Sequence, residues 1–89
     1  MIARICTENK NKEKIAKLVS EVFDGFAMIE GAGFWKGIPE QSLTIEIAQS
    51  NQLRSEFIAN VASLARLIKH INQQESVLIE CIESDNVFV

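Results

Sequence analysis

The 89-residue chain is poor in the residues that metal sites and nucleophilic catalysis require. It has one histidine, His70, and two cysteines, Cys6 and Cys81, and none of them stands in a metal-ligand spacing such as CxxC or HxxxH. We therefore expect no bound metal and no cofactor. Because no histidine stands near a serine to activate it, nucleophilic hydrolysis is also disfavoured. These shortages favour a binding protein over an enzyme.

Long apolar runs and an excess of positive charge are missing as well. No segment has the length of a membrane span, and the apolar start of the chain is too short for a signal peptide. A cytoplasmic location with both cysteines reduced is therefore expected. The formal net charge of −3 argues against binding to a nucleic-acid backbone. The expected partners are small molecules or proteins, with no nucleic acid and no membrane.

Glycine, proline and tryptophan are scarce, yet most of them fall in one short stretch. Residues 31–42 hold three of the four glycines, the only proline and the only tryptophan, Trp35. Because glycine allows positive φ and close backbone approach, we expect this stretch to join two strands in a hairpin. A tryptophan on such a connection either packs beneath it or binds a ligand.

The spacing of apolar residues predicts the element order βαββαβ in a single domain, residues 1–89. The predicted strands are residues 1–7, 26–35, 41–48 and 76–84. One helix is predicted from residue 12 to the pair Asp24-Gly25, and a longer one over residues 50–72. The fold typical of this order is the ferredoxin-like α+β sandwich, an antiparallel sheet in the order 4-1-3-2 with two helices on one face.

In this topology three connections leave the sheet at the same end. Polar side chains grouped around an aromatic residue are typical of a binding site. The same side chains could instead cap the helix end or brace the hairpin, and both alternatives stay open. The predicted ligand-binding residues are Trp35, Lys36, Glu40, Ser42, Gln74, Glu75, Ser76, Asn9 and Lys10.

Alternation along the strands predicts which residues face the helices and which stay uncovered. Cys6 is expected on the uncovered face and Cys81 in the core, which keeps the two thiols apart. The residues expected under the helices are Ile5, Ile29, Ile45 and Ile79. The charged residues expected on the uncovered face are Arg4, Glu30, Glu46 and Glu80.

Three apolar residues, Met28, Leu78 and Ile82, are also expected on the uncovered face. So much apolar surface is unusual for a face left in water, so we expect a partner sheet to cover it. The apolar tail, residues 87–89, offers a further segment for pairing with another subunit. The sequence therefore predicts self-association as a dimer or trimer.

Four groups of residues carry a family resemblance: Phe23-Asp24-Gly25-Phe26, a GxGxWxG…ExS hairpin ending at Ser42, a QESVL strand start at Gln74, and Val87-Phe88. Together they resemble a family of small bacterial and phage proteins classed as a domain of unknown function. The resemblance implies no activity, but it gives weight to particular positions of the predicted site. Those positions are Trp35, Glu40, Ser42, Gln74, Glu75 and Ser76.

The leading hypothesis is a non-enzymatic, homo-oligomeric module that binds a small anionic ligand, such as a signalling nucleotide, against Trp35 and Lys36. A phage counter-defence protein that sequesters such a signal would have this size. The alternative is a protein-interaction module that inhibits or adapts a larger partner through its open sheet face. Third comes a hydrolase that uses Glu40 or Glu75 with a neighbouring serine, Ser42 or Ser76.

Overall fold

The computed structural model describes residues 1–87, so Phe88 and Val89 of the predicted pairing tail lie outside the described residues. Four strands form one antiparallel sheet in the order β2-β3-β1-β4, with two helices packed on it. This is the predicted ferredoxin-like α+β arrangement, numbered from the other edge. The elements are β1 (Ile2–Glu8), α1 (Lys12–Ser20), β2 (Ala27–Trp35), β3 (Ile38–Ala48), α2 (Arg54–Asn72) and β4 (Leu78–Ile82).

The core lies between the two central strands and the helices. Alternate residues of β1 and β3 point into it because strand side chains repeat with period two, and the helices contribute one apolar stripe each. Phe57 is fully buried and meets Phe23 edge to face, with ring centroids 5.8 Å apart. The largest fully buried side chains are Phe57, Ile5, Ile15, Leu43, Ile45, Ile47, Leu64, Ile68, Val19 and Val61.

Both helices are shorter than predicted. The first ends at Ser20 and closes with turn-type hydrogen bonds, so Val22 falls outside it and is exposed. The second begins at Arg54 rather than near residue 50, because a turn precedes it in which Gln49 Nε2 donates to the backbone carbonyl of Gln52. Leu53, inside the predicted helix, precedes the observed one and is 67% exposed. Within residues 1–87, neither helix combines the length and the apolarity that a membrane crossing needs.

Strand β2 has the opposite phase from the one predicted. Its register pairs Met28 with Ile45 and Ile29 with Thr44. Because residues directly opposite each other share a face, Met28 faces the helices and Ile29 the open side. Glu30 likewise lies on the helix side, where it forms an ion pair with Lys12 of α1. The placements of Met28, Ile29 and Glu30 were therefore wrong.

Strand β4 is an exposed edge rather than part of the covered core. Among residues 1–87 it pairs only with β1, and every one of its five residues is exposed. Ile79 and Cys81 point to the helix side but are not covered, because α2 packs over β1 and does not reach the edge. The prediction that Cys81 lies in the core was wrong. Cys6, on the open side, is half-buried, and both thiols are free.

The other three charged residues predicted on the open face do lie there, on β1, β3 and β4. Arg4 stands opposite Glu46 on one side and Glu80 on the other. The Arg4 Nε donates to Glu46 Oε2 at 2.8 Å, and this hydrogen bond, with the charge of Glu46, raises the pKa of Arg4. Such exposed cross-strand pairs stabilise the strand pairing only weakly, because solvent screens the two charges.

Candidate functional site

The β2–β3 hairpin runs beyond the sheet and closes in a two-residue turn. Lys36 and Gly37 both have positive φ, 52° and 78°, which is the requirement of a type I′ turn. The glycine-rich stretch is therefore mostly strand, and its connecting loop is shorter than predicted. A Cβ at Gly31 in β2 would lie 3.2 Å from the hydroxyl of Ser42 on β3, so a larger residue there would require the Ser42 side chain to shift by a few tenths of an ångström.

A cavity of about 510 Å³ lies between this hairpin, the end of β1 and the α2–β4 connection. Seven of the nine residues predicted from sequence line it together: Trp35, Lys36, Glu40, Ser42, Gln74, Glu75 and Ser76. The lining residues that were not in the predicted set are Cys6, Thr7, Glu8, Phe34, Gln73 and Leu78. The three connections meet at one end of the sheet as the topology requires.

The other two predicted residues, Asn9 and Lys10, are outside the cavity lining. The backbone N–H of Asn9 donates to Gln41 O at 2.9 Å and so ties the end of β1 to the hairpin. The Lys10 Nζ lies 2.7 Å from Glu8 Oε2. Asn9 therefore contacts the hairpin through its backbone, and Lys10 pairs with a glutamate of the lining.

Two aromatic rings stand at the hairpin side of the cavity. Trp35 is 54% exposed and Phe34 is 72% exposed. The Lys36 Nζ lies 5.8 Å from the centroid of the Trp35 ring, within the range of a cation–π contact. An indole that braces the hairpin from beneath would be buried, so this exposure favours the alternative in which Trp35 offers a ring face to a ligand.

Acidic side chains outnumber basic ones in the lining. Three glutamates, Glu8, Glu40 and Glu75, stand against one lysine, Lys36. Glu8 Oε2 is shielded from solvent, and among residues 1–87 it has the nearby Lys10 ammonium but no aligned hydrogen-bond donor. The formal charge of the lining is therefore negative, which favours neutral or cationic molecules in the cavity.

A polar cluster at the cavity is formed by the buried residues Thr7 and Asn72 and the half-buried Gln74. Asn72 is 2% exposed, and its Nδ2 donates to Thr7 Oγ1 at 3.0 Å and to Glu8 O at 3.2 Å. The Thr7 hydroxyl donates in turn to Gln74 Oε1. Asn72 was not singled out from sequence, although it stands four residues after Ile68 on the buried stripe of α2. A polar residue on an apolar helix stripe is the sequence feature that could have identified Asn72 as part of the site.

Metal-binding chemistry finds no support at this site. Over residues 1–87, no three histidine, cysteine, aspartate or glutamate side chains come together as a set of metal ligands. The side chains that are present offer hydrogen bonds, aromatic faces and negative charge. They suit the recognition of an organic molecule.

Comparison with known proteins finds similar structures but no similar sequence family. No protein-family model matches the chain, and no curated protein sequence is similar enough to count as a relative. A solved structure of a phage SAM lyase in the apo state is similar, with a TM-score of 0.74 and 18% identity, covering 88% of this chain and 75% of that one. A phage SAM lyase in complex with S-methyl-5'-thioadenosine gives a TM-score of 0.70 and 15% identity, covering 88% and 76%. At this identity the likeness establishes a shared fold.

Proposed function

We propose that the protein is a phage-type module that binds a small nucleoside-like molecule of the SAM and S-methyl-5'-thioadenosine class. The observation that carries the proposal is the cavity in which Trp35, Glu40 and Gln74 meet, within a fold shared with a phage lyase that binds S-methyl-5'-thioadenosine. Its volume of about 510 Å³ lies in the usual range of small-molecule sites. The family resemblance drawn from sequence remains a prediction.

The aromatic rings supply the first reason for a nucleoside. A purine base has a flat π surface, and its stacking on an aromatic side chain is worth about 1–3 kcal/mol. Trp35 offers such a face to the cavity, and its side chain is already exposed. A ligand can therefore stack on it without first opening the fold.

The charge of the lining supplies the second reason and changes the predicted ligand. Glu8 is paired with Lys10, so an anion would meet the carboxylates of Glu40 and Glu75 with Lys36 to attract it. A neutral thioether nucleoside avoids this repulsion, and the sulfonium cation of SAM gains from it. We therefore propose a neutral or cationic ligand in place of the anionic one predicted from sequence.

Calorimetric titration of the purified protein tests the proposal with three probes. S-methyl-5'-thioadenosine and SAM should bind, and adenosine monophosphate should bind at least about tenfold more weakly, since repulsion of about 1.4 kcal/mol is enough for that ratio. Tighter binding of the monophosphate would support the anionic ligand predicted from sequence. No binding of either nucleoside probe would remove the proposed function.

Cleavage of a sulfonium ligand is a second candidate, favoured by the carboxylates of the same cavity. In an elimination, a carboxylate takes a proton from the carbon next to the C–S carbon, the C–H electron pair forms a carbon–carbon double bond, and the C–S bond breaks with its electron pair on sulfur. A neutral thioether departs. Glu40 and Glu75 line the cavity and can accept such a proton. Release of S-methyl-5'-thioadenosine from SAM, lost in Glu40→Gln or Glu75→Gln, would establish this activity. Binding without release would leave a protein that sequesters its ligand, as in phage counter-defence.

Self-association through the open sheet face is proposed alongside ligand binding. Ile29, Leu78 and Ile82 are exposed, and β4 presents an unpaired edge. The same surface serves the alternative function, inhibition or adaptation of a larger protein partner. Sedimentation at micromolar concentration should show a dimer or trimer, and a 10.0 kDa species alone would contradict self-association.

A further inference from the structure

The side-chain amide of Gln74 has one possible orientation, which two backbone groups determine. Its Oε1 accepts a hydrogen bond from the Glu8 backbone N–H at 3.3 Å, and that group can only donate. Its Nε2 donates to the carbonyl of Ser76 at 3.3 Å, and that group can only accept. The carbonyl end of Gln74 is therefore directed to β1 and the amino end away from it.

The buried cluster reinforces this orientation from below. The Thr7 hydroxyl donates to Gln74 Oε1, and Asn72 Nδ2 lies 3.2 Å from the same oxygen. Asn72 is itself oriented, because its Nδ2 also donates to Glu8 O and its Oδ1 accepts from Asn11 Nδ2 at 3.2 Å. A flipped Gln74 amide would set its amino group against three donors, which a buried network tolerates poorly.

Within the described chain, the contacts of Gln74 leave it one group to offer a ligand. Its Oε1 already accepts from the Thr7 hydroxyl and the Glu8 N–H, while Nε2 carries two hydrogens and uses one on Ser76 O. We infer that Gln74 is a fixed hydrogen-bond donor in the cavity, which selects a ligand that places an acceptor there, such as a purine ring nitrogen. Thr7 and Asn72 are positioning residues that act through it. This inference rests on the proposed function and assigns one of its specificity contacts.

The first test removes the donor and keeps the shape. Gln74→Glu retains the oxygen that β1 holds and replaces the amino group with an acceptor. It should weaken binding of S-methyl-5'-thioadenosine by at least about tenfold, which corresponds to one lost hydrogen bond and an unpaired acceptor. Gln41→Glu is the matched control, since it adds the same charge to the exposed hairpin at a residue outside the cavity lining. The control should bind within about threefold of the original protein.

The second test separates positioning from general stability. Thr7→Val removes the hydroxyl while keeping the branched shape, and it should weaken binding about three- to tenfold. In the Gln74→Glu background the same change should have no further effect, because Thr7 acts through the Gln74 amide. NMR relaxation should show a rigid Gln74 amide in the original protein and a mobile one in Thr7→Val.

The outcomes distinguish this inference from the proposed function. Equal binding by the original protein and Gln74→Glu would overturn the donor role and leave the proposed function standing. An equal loss in Gln41→Glu would assign the effect to charge and overturn the inference too. If the original protein binds no probe, the proposed function fails, and a mobile Gln74 amide in the relaxation data would then overturn the positioning as well. If Thr7→Val weakens binding by the same factor in the original protein and in Gln74→Glu, Thr7 does not act through Gln74 and its role is structural.

Discussion

Replacing Trp35 by alanine should abolish most ligand binding and leave the fold intact. The indole is 54% exposed at the hairpin, so a little under half of its surface is covered. A fully enclosed tryptophan buries up to about 250 Å², and apolar burial is worth about 25 cal/mol per Å². The covered part is then worth at most about 3 kcal/mol, or about 2 kcal/mol once a compact unfolded chain is allowed for.

A buried aromatic residue provides the matched comparison for stability. Phe57 is fully buried against Phe23, and truncating such a ring costs about 3–5 kcal/mol. In a domain of this size, each kcal/mol lowers the melting temperature by about 4–8 °C. Trp35→Ala should therefore lower it by no more than about 8–16 °C, and Phe57→Ala by about twice as much.

Binding gives the opposite order of effects. A lost stacking platform of about 1–3 kcal/mol corresponds to a roughly 5- to 150-fold weaker affinity for S-methyl-5'-thioadenosine, and Trp35→Phe should recover most of it. Trp35 is the only tryptophan, so its fluorescence reports the site in the original protein, and calorimetry serves the variants. The reasoning is refuted if Trp35→Ala melts as low as Phe57→Ala while Lys36→Ala binds normally, because Trp35 would then be a brace.

Three further predictions follow from local geometry. Lys36→Asn should raise the free energy of unfolding by about 0.5 kcal/mol in denaturant titration, since asparagine tolerates the positive φ of this turn better than lysine. S-methyl-5'-thioadenosine should slow alkylation of Cys6, which lines the cavity, but not of exposed Cys81, as peptide mass mapping would show, and equal protection of both would contradict the site. The hydrogen bond and charge of Lys12 lower the pKa of Glu30, so the stabilisation from this pair is present above the ordinary glutamate pKa and is lost as pH falls through the lowered one. In an NMR titration Lys12→Met should raise that pKa, and an unchanged value would show that the ion pair does not persist.

The fold could be predicted because two segments carry strong periodic patterns. Leu43, Ile45 and Ile47 alternate with polar residues in β3, and all three are fully buried. The apolar stripe of α2 is equally regular, and a strand pattern or helix pattern of this strength leaves one side to bury. With the element order in place, topology alone brought the three connections to one end of the sheet. That step predicted seven residues of the cavity lining.

Weak patterns gave the errors. In β2, the sequence Ala-Met-Ile-Glu-Gly-Ala-Gly has no clearly apolar phase, so only pairing with β3 decides that Met28 and not Ile29 faces the helices. The hairpin turn has two residues rather than the longer connection predicted, because the pairing of β2 with β3 continues through the glycines. The exposure of β4 depends on where the helices lie, which no local pattern of that strand contains.

The sequence by itself determined the order of the elements, the core stripes and the end of the sheet where the site lies, because each follows from local periodicity and chain topology. Tertiary structure alone decided the chemistry of the site. Thr7 and Asn72 are 65 positions apart, and their bond and the orientation of Gln74 exist only after β1 and α2 have packed. The negative charge of the lining is likewise a sum over three distant segments. Such sums depend on distances in space, which the spacing of residues along the chain does not specify.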